Sequence, residues 1–219
     1  MTAPPFLGRY RQSFERTWTD ETPLEEIRFV ILDSETTGLN PRVDRLITVG
    51  AVAVQNGEIR LDDAFDALIK VDENTSAVTV HGVTRDQSRA GRDEADVLAA
   101  FLEYLGDGVI VGHHIDHDII TFDSACERRW GFRLSNRSLD TMDLTLHLEK
   151  DGAFAGRPPI RRYTLDALCE MFGVLPHDRH TASGDAFITG QVFLRLLRLA
   201  ARHGRQTLGR ISEPFLEPA

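Results

Sequence analysis

Ile27-Arg28-Phe29-Val30-Ile31-Leu32-Asp33-Ser34-Glu35-Thr36-Thr37-Gly38-Leu39 decides how the chain is read. Its first half is an apolar, β-branched run ending at a carboxylate, the pattern of a buried central strand. Side chains alternate along a strand with period 2, so Asp33 and Glu35 share one face and Ser34 points to the other. Two carboxylates on one face repel unless a cation lies between them, and oxygen-only donors suit Mg2+ or Mn2+. A bare Asp-x-Glu is more often just a strand end meeting solvent. Here Thr36-Thr37-Gly38-Leu39 follows at once and brings hydroxyls and backbone amides beside the pair.

Outward from this strand, Leu46–Val54 reads as a second strand. Asn56-Gly57 is a favoured hairpin dipeptide, and Glu58–Val71 returns as a third strand, so the domain opens as an antiparallel meander. Helices then alternate with short strands. Asp93–Leu105 sets Val97, Leu98, Phe101, Leu102 and Leu105 on one face. Gly108–Gly112 is a short strand, and the helix from Asp116 to Trp130 turns Ile119, Phe122 and Cys126 inward. Ser138–Met142 is a fifth strand, and Leu144–Leu148, Thr164–Phe172 and Gly184–His203 are helical. Phe101, Phe122, Phe172, Phe187 and Phe193 are expected in the core. This order predicts an α/β fold, a mixed sheet of about five strands flanked by helices. Residues 1–26 read as an N-terminal extension in which Phe6, Leu7, Tyr10, Phe14 and Trp18 recur at near-helical spacing, a docking helix ended by Pro23. Residues 204–219, with Pro214 and Pro218, read as a C-terminal tail.

At 219 residues the chain is long enough for one well-buried α/β domain. No signal peptide and no membrane span are expected. Cys126 and Cys169 are too few for a disulfide scaffold, and reduced thiols in a cytoplasmic protein are the simpler reading. A net charge of −9 stands at first against a nucleic-acid partner. Acidic residues that face bound cations invert that local field, however. Arginines are also clustered, at 128, 129, 133 and 137, at 157, 161 and 162, and at 195, 198, 202 and 205. The last set recurs every three or four residues and reads as one solvated helix face.

Two further stretches carry chemistry. Gly112-His113-His114-Ile115-Asp116-His117-Asp118 joins a strand to a helix. Its histidines invite a zinc reading, but the spacing is not that of helical His-Glu-x-x-His. His180-Thr181-Ala182-Ser183-Gly184-Asp185 opens the last long helix and puts a carboxylate in its first turn, where negative charge is favoured. Histidine exchanges protons near neutral pH and so suits a general base.

Taken together and in order, the three stretches resemble the exonuclease motifs of the DnaQ-like, or DEDDh, family of 3′→5′ exonucleases, over residues from about 27 to 203. The resemblance implies a ribonuclease-H-like fold in which Asp33, Glu35, Asp118 and Asp185 hold two Mg2+ (or Mn2+) ions and His180 deprotonates the attacking water. Asp118 rather than Asp116 is the third ligand, because Ile119 and Phe122 continue the family's apolar spacing. His114 stands where the family has Asn, and His117 where it has Phe. The residues after the first pair, Thr36, Thr37 and Leu39, would hold the 3′-terminal nucleotide. Val80-His81-Gly82-Val83-Thr84 resembles a segment bordering the terminal base, and His114 joins His81 as a substrate-binding candidate. The implied reaction releases nucleoside 5′-monophosphates from 3′ ends of single-stranded or frayed DNA, as in proofreading, with a DNA polymerase as an implied partner. RNA 3′ ends, as for the oligoribonuclease and RNase T branches, are the alternative substrate. A non-catalytic nucleic-acid-binding accessory subunit and a small-nucleotide phosphodiesterase are the other readings.

Overall fold

A computed structural model describes residues 4–71, 90–156 and 162–213. The apolar run forms β1 (Phe29–Thr36), the middle of a five-stranded sheet ordered β3-β2-β1-β4-β5. β2 (Leu46–Gln55) lies antiparallel to β1, and β3 (Glu58–Leu68) antiparallel to β2. The turn between β2 and β3 puts Asn56 and Gly57 at φ 53° and 74°, the left-handed pair that a tight hairpin requires. β4 (Val109–Gly112) runs parallel to β1, and β5 (Ser138–Asp140) parallel to β4. The fold is therefore the expected α/β class, a mixed sheet flanked by helices.

The helices are α1 (Pro5–Ser13), α2 (Glu94–Leu105), α3 (Asp116–Trp130), α4 (Thr141–Lys150), α5 (Leu165–Phe172), α6 (Ala182–Arg202) and α7 (Leu208–Ile211). Strand alternation sorts them into two layers. Phe29 and Ile31 face one core, shared with Leu144 of α4, Leu168 of α5 and Val192, Phe193 and Leu196 of α6. Val30 and Leu32 face the other, shared with Phe101 of α2, Phe122 of α3 and Leu7 and Tyr10 of α1. Four of the helices after β3, α2, α4, α5 and α6, start where a side chain satisfies a free backbone amide. Asp93 accepts from Ala95 N at 2.9 Å, Asp140 from Met142 N at 2.7 Å, and Thr164 and Thr181 cap α5 and α6 in the same way. Gly131 and Gly173 end α3 and α5 in the left-handed conformation.

Several details differ from the sequence reading. The cap on Asp140 stops β5 early, so Thr141 and Met142 begin α4 instead of finishing the strand. Phe187, expected in the core, is 38% exposed, because it falls on the outer face of α6. The arginine stripe is not one solvated face. Arg195 folds back to donate to the last carbonyls of α5 (Phe172 O, 3.1 Å), and Arg205 lies past the end of α6 on Asp151. Trp18 lies beyond α1, which ends at Ser13. Its ring packs on the core opposite to the one that takes Leu7 and Tyr10, and its indole N–H donates to Asp107 O at 2.8 Å. Leu208 and Ile211 of α7 are buried in the α6-side core, and Pro23 bridges to Thr207. Cys126 and Cys169 are free and buried. Among the described residues no helix is long and apolar enough to cross a membrane. The Val80–Thr84 stretch, with His81, lies outside the described residues.

Candidate functional site

The alternation that divides the core also builds the site. Asp33 and Glu35 emerge from β1 on the α6 face, while Ser34 emerges on the α3 face. Each meets a carboxylate from its own side. Ligand oxygens of Asp33, Glu35 and Asp185 lie within 4.8 Å of one another. On the other side Ser34 Oγ donates to Asp118 Oδ1 at 2.6 Å. Asp118 and Asp185 are buried, whereas Asp116 is exposed.

Glycine makes the α6 approach possible. Asp33 is paired in register with Gly50 of β2, and a Cβ on Gly50 would lie 2.3 Å from the backbone of Ala182 and Ser183. Any larger residue would push the start of α6, and Asp185 with it, off the sheet. The turn before α6 is tight as well. Asp178 and His180 both take positive φ (52° and 64°), a left-handed conformation that costs non-glycine residues energy. Thr181 Oγ1 ties that turn together by donating to Asp178 O at 2.7 Å and accepting from Gly184 N. His180 donates its backbone N–H to Asp185 Oδ2 at 3.2 Å, and the residue is exposed.

Electrostatics follow from this crowding. Burial pushes the Asp33 carboxyl well above the usual range, and the charges of Asp118, Asp185 and Glu35 push it further. Burial, then Asp185 and Asp118, raise Glu35 to about 7. Burial raises Asp118 to about 7 against the opposing hydrogen bonds from Ser34. Two charges as close as these repel by about 3 kcal/mol at an effective dielectric of about 20. That exceeds what a typical surface ion pair returns, so the fully ionised cluster needs a cation. All its donors are oxygens, which fits a hard divalent ion. Among the described residues, no group of His, Cys, Asp or Glu that could hold a metal includes His113, His114 or His117, so the zinc reading finds no site.

The substrate-binding candidates are placed less uniformly. Thr36 Oγ1 donates to Gly38 O at 2.6 Å, and Thr37 Oγ1 donates to Asp44 Oδ1 at 2.8 Å while accepting from Arg45 N. These hydroxyls shape the loop from 36 to 45, which presents Leu39 with 93% of its surface exposed. His114 takes a positive φ of 59° and lines a cavity of about 390 Å³ with Asp116, Asp140 and Met142, a cavity none of the four carboxylates lines. His113 is held by Thr141 Oγ1 at 2.9 Å, and burial, reinforced by His114, lowers it to about 4. Sequence reasoning missed Ser34 as a partner of Asp118, Gly50 as the seat of α6, and Asp140, which also takes Ile115 N at 2.9 Å and so fixes the turn before α3. It missed Arg179 too, which bonds Asp185 and Asp166. Only Arg179 carried a signal, its place beside His180.

A mixed sheet with this acidic strand end defines a ribonuclease-H-like nuclease domain. The RNase_T exonuclease family model matches residues 30–193, and the chain belongs to that family. The DNA polymerase III PolC-type protein of Thermotoga maritima is 32% identical over 202 residues, covering 90% of this chain and 14% of its own length. The DNA polymerase III subunit epsilon-like protein of Rhodobacter capsulatus is 33% identical over 196 residues, covering 87% of this chain and 27% of its own length. The chain thus spans a minor part of these relatives. E. coli exonuclease I, solved in complex with a dT13 oligonucleotide, superposes with a TM-score of 0.70 at 19% identity, over 81% of this chain and 42% of that one.

Proposed function

We propose that the chain is a metal-dependent 3′→5′ exonuclease that removes nucleoside 5′-monophosphates from single-stranded or frayed DNA. The observation that carries this reading is the meeting of Asp33, Glu35 and Asp185 within 4.8 Å, with Asp118 on the opposite flank of the same strand end. In this reading those four carboxylates hold two Mg2+ or Mn2+ ions, which supply charge stabilisation for the attacking and leaving oxygens of a phosphodiester. His180 takes the proton of the attacking water in this reading, supported by its exposure and by the bond its main chain makes to Asp185. The loop from 36 to 45 carries Leu39 toward the terminal nucleotide, and Thr36 and Thr37 keep that loop in shape.

DNA is favoured over RNA because both described relatives are DNA polymerase III proteins, and a DNA polymerase is the corresponding partner. A neighbour in fold is solved with a dT13 oligonucleotide. A purely binding subunit is disfavoured on energetic grounds, since it has no use for half-buried carboxylates that raise one another's pKa. The test is product analysis on 5′-labelled DNA and RNA oligonucleotides of equal sequence. The expected result is a ladder shortening from the 3′ end and mononucleotide 5′-phosphates, faster on DNA. Faster trimming of RNA would transfer the activity to the ribonuclease reading, and no trimming of either would overturn it.

A further inference from the structure

Arg179 stands between the acidic cluster and α5. One guanidinium nitrogen, Nη1, donates to Asp185 Oδ1, and Nε donates to Asp166 Oδ1 at 2.7 Å. Asp166 lies in the first turn of α5 and Asp185 in the first turn of α6, so one side chain spans two helix starts. Its side chain is only 20% exposed. Among the described residues it is the one basic side chain in an ion pair with any of the four carboxylates. Its charge also reaches past Asp185 and partly offsets the repulsion felt by Asp33 and Glu35. Burial works against a charge on Arg179, but the hydrogen bonds it donates to Asp166 and Asp185 outweigh it and raise its pKa above the ordinary value.

This geometry has two opposite effects on the cluster. Without a metal, the guanidinium supplies the positive charge that Asp185 lacks and holds its carboxylate in place. Toward a metal, it competes, because Oδ1 of Asp185 is already engaged. Guanidinium makes such a bridge well, since its planar fork serves two carboxylates at once, which a lysine ammonium does not. We propose, resting on the metal-site reading above, that Arg179 is a resident counter-ion and positioning residue, tethered by Asp166, which competes with a divalent cation for Asp185 Oδ1.

Thermal unfolding of the whole chain, freed of metal by chelation and then titrated with Mn2+, tests this without any nuclease assay. Arg179→Gln is expected to melt lower than the parent in chelator. It is also expected to need less Mn2+, with the concentration giving half of the stabilising shift falling roughly fivefold, the equivalent of one partly exposed ion pair. Arg179→Lys, which keeps the charge and loses the fork, is expected to fall between the two. A merely structural role would lower the melting temperature in chelator and leave the Mn2+ half-point where it was, and that result overturns the proposal. A half-point that rises overturns it too, since Arg179 would then be helping to build the metal site. Should Arg179→Gln fail to fold, the lysine variant decides alone, and a half-point at or above the parent's overturns the proposal. A parent that shows no Mn2+ shift removes the metal-site reading and this proposal together, whereas an unchanged variant beside a responsive parent removes this proposal only.

Discussion

Asp33→Asn is expected to lower turnover by roughly 10³-fold or more, the several kcal/mol that metal-assisted charge stabilisation supplies, while making the metal-free fold more stable at neutral pH. The two effects have one cause. In the folded protein Asp33 lies well above the usual carboxylate range, and Glu35 and Asp118 are raised to about 7. A carboxyl whose folded pKa is raised binds more protons folded than unfolded, so it favours the fold at low pH. That contribution is fully present below about pH 4, the unfolded value, and is lost as pH rises through about 7. In chelator the parent should therefore melt progressively lower across this window. Asp33→Asn removes the charge that Asp118, Asp185 and Glu35 oppose, so its slope should be shallower. Asp166, held below the usual range by its hydrogen bond with Arg179, and Asp151, held there by Arg205, act below that window. His113, lowered to about 4, gives a slope of the opposite sign inside it, so the Asp33 effect is read as the difference between the slopes of parent and variant. Melting curves against pH, in chelator and in Mg2+, read the stability effect, and single-turnover hydrolysis reads the other. Near-parent turnover in Asp33→Asn would sink the site assignment.

His180→Ala is expected to lose about 10²–10⁴-fold in rate, the usual contribution of a general base, with metal and substrate binding preserved. The backbone makes this a clean test. His180 touches Asp185 through its main-chain N–H, which alanine keeps, and among the described residues its imidazole makes no hydrogen bond. One structural cost is specific. The residue sits at φ 64°, so alanine pays the same left-handed strain without relieving it, and His180→Gly serves as the control that does relieve it. Both variants should lose rate alike while keeping the parent's thermal shift with Mn2+. Unchanged turnover in either, or an equal loss on changing His113, would move the general base elsewhere.

How far the sequence led depended on what kind of physics each feature used. The strand carrying Asp33 and Glu35 was legible because alternation is local, and the same alternation explains why Asp185 and Asp118 arrive on opposite flanks. The α3 boundaries, Asp116 and Trp130, were legible from a helical apolar face, and in the structure Gly131 closes the helix. What stayed hidden was tertiary. Gly50 reads as one small residue in a strand until the α6 backbone is seen 2.3 Å from where its Cβ would be. Ser34 reads as the idle residue between two ligands until Asp118 is placed against it. Thr36 and Thr37 read as free hydroxyls beside the pair, but their short-range bonds to Gly38, Asp44 and Arg45 turn them into loop fasteners. Phe187 shows the limit of composition. Its neighbours Ala186 and Ile188 are buried, yet its own direction on α6 leaves it 38% exposed.

In the proposed function the strand end with Asp33, Glu35, Asp118 and Asp185 trims nucleic acid from a free 3′ terminus with the help of divalent cations. The most direct measurement compares three forms of one single-stranded DNA, with a 3′-hydroxyl, a 3′-phosphate and a covalently closed circle, each in Mg2+ and in chelator. The expected result is rapid release of mononucleotides from the 3′-hydroxyl strand in Mg2+ alone, strong slowing by the 3′-phosphate, and no cutting of the circle. Linearised circles, or hydrolysis that persists undiminished in chelator, would contradict it.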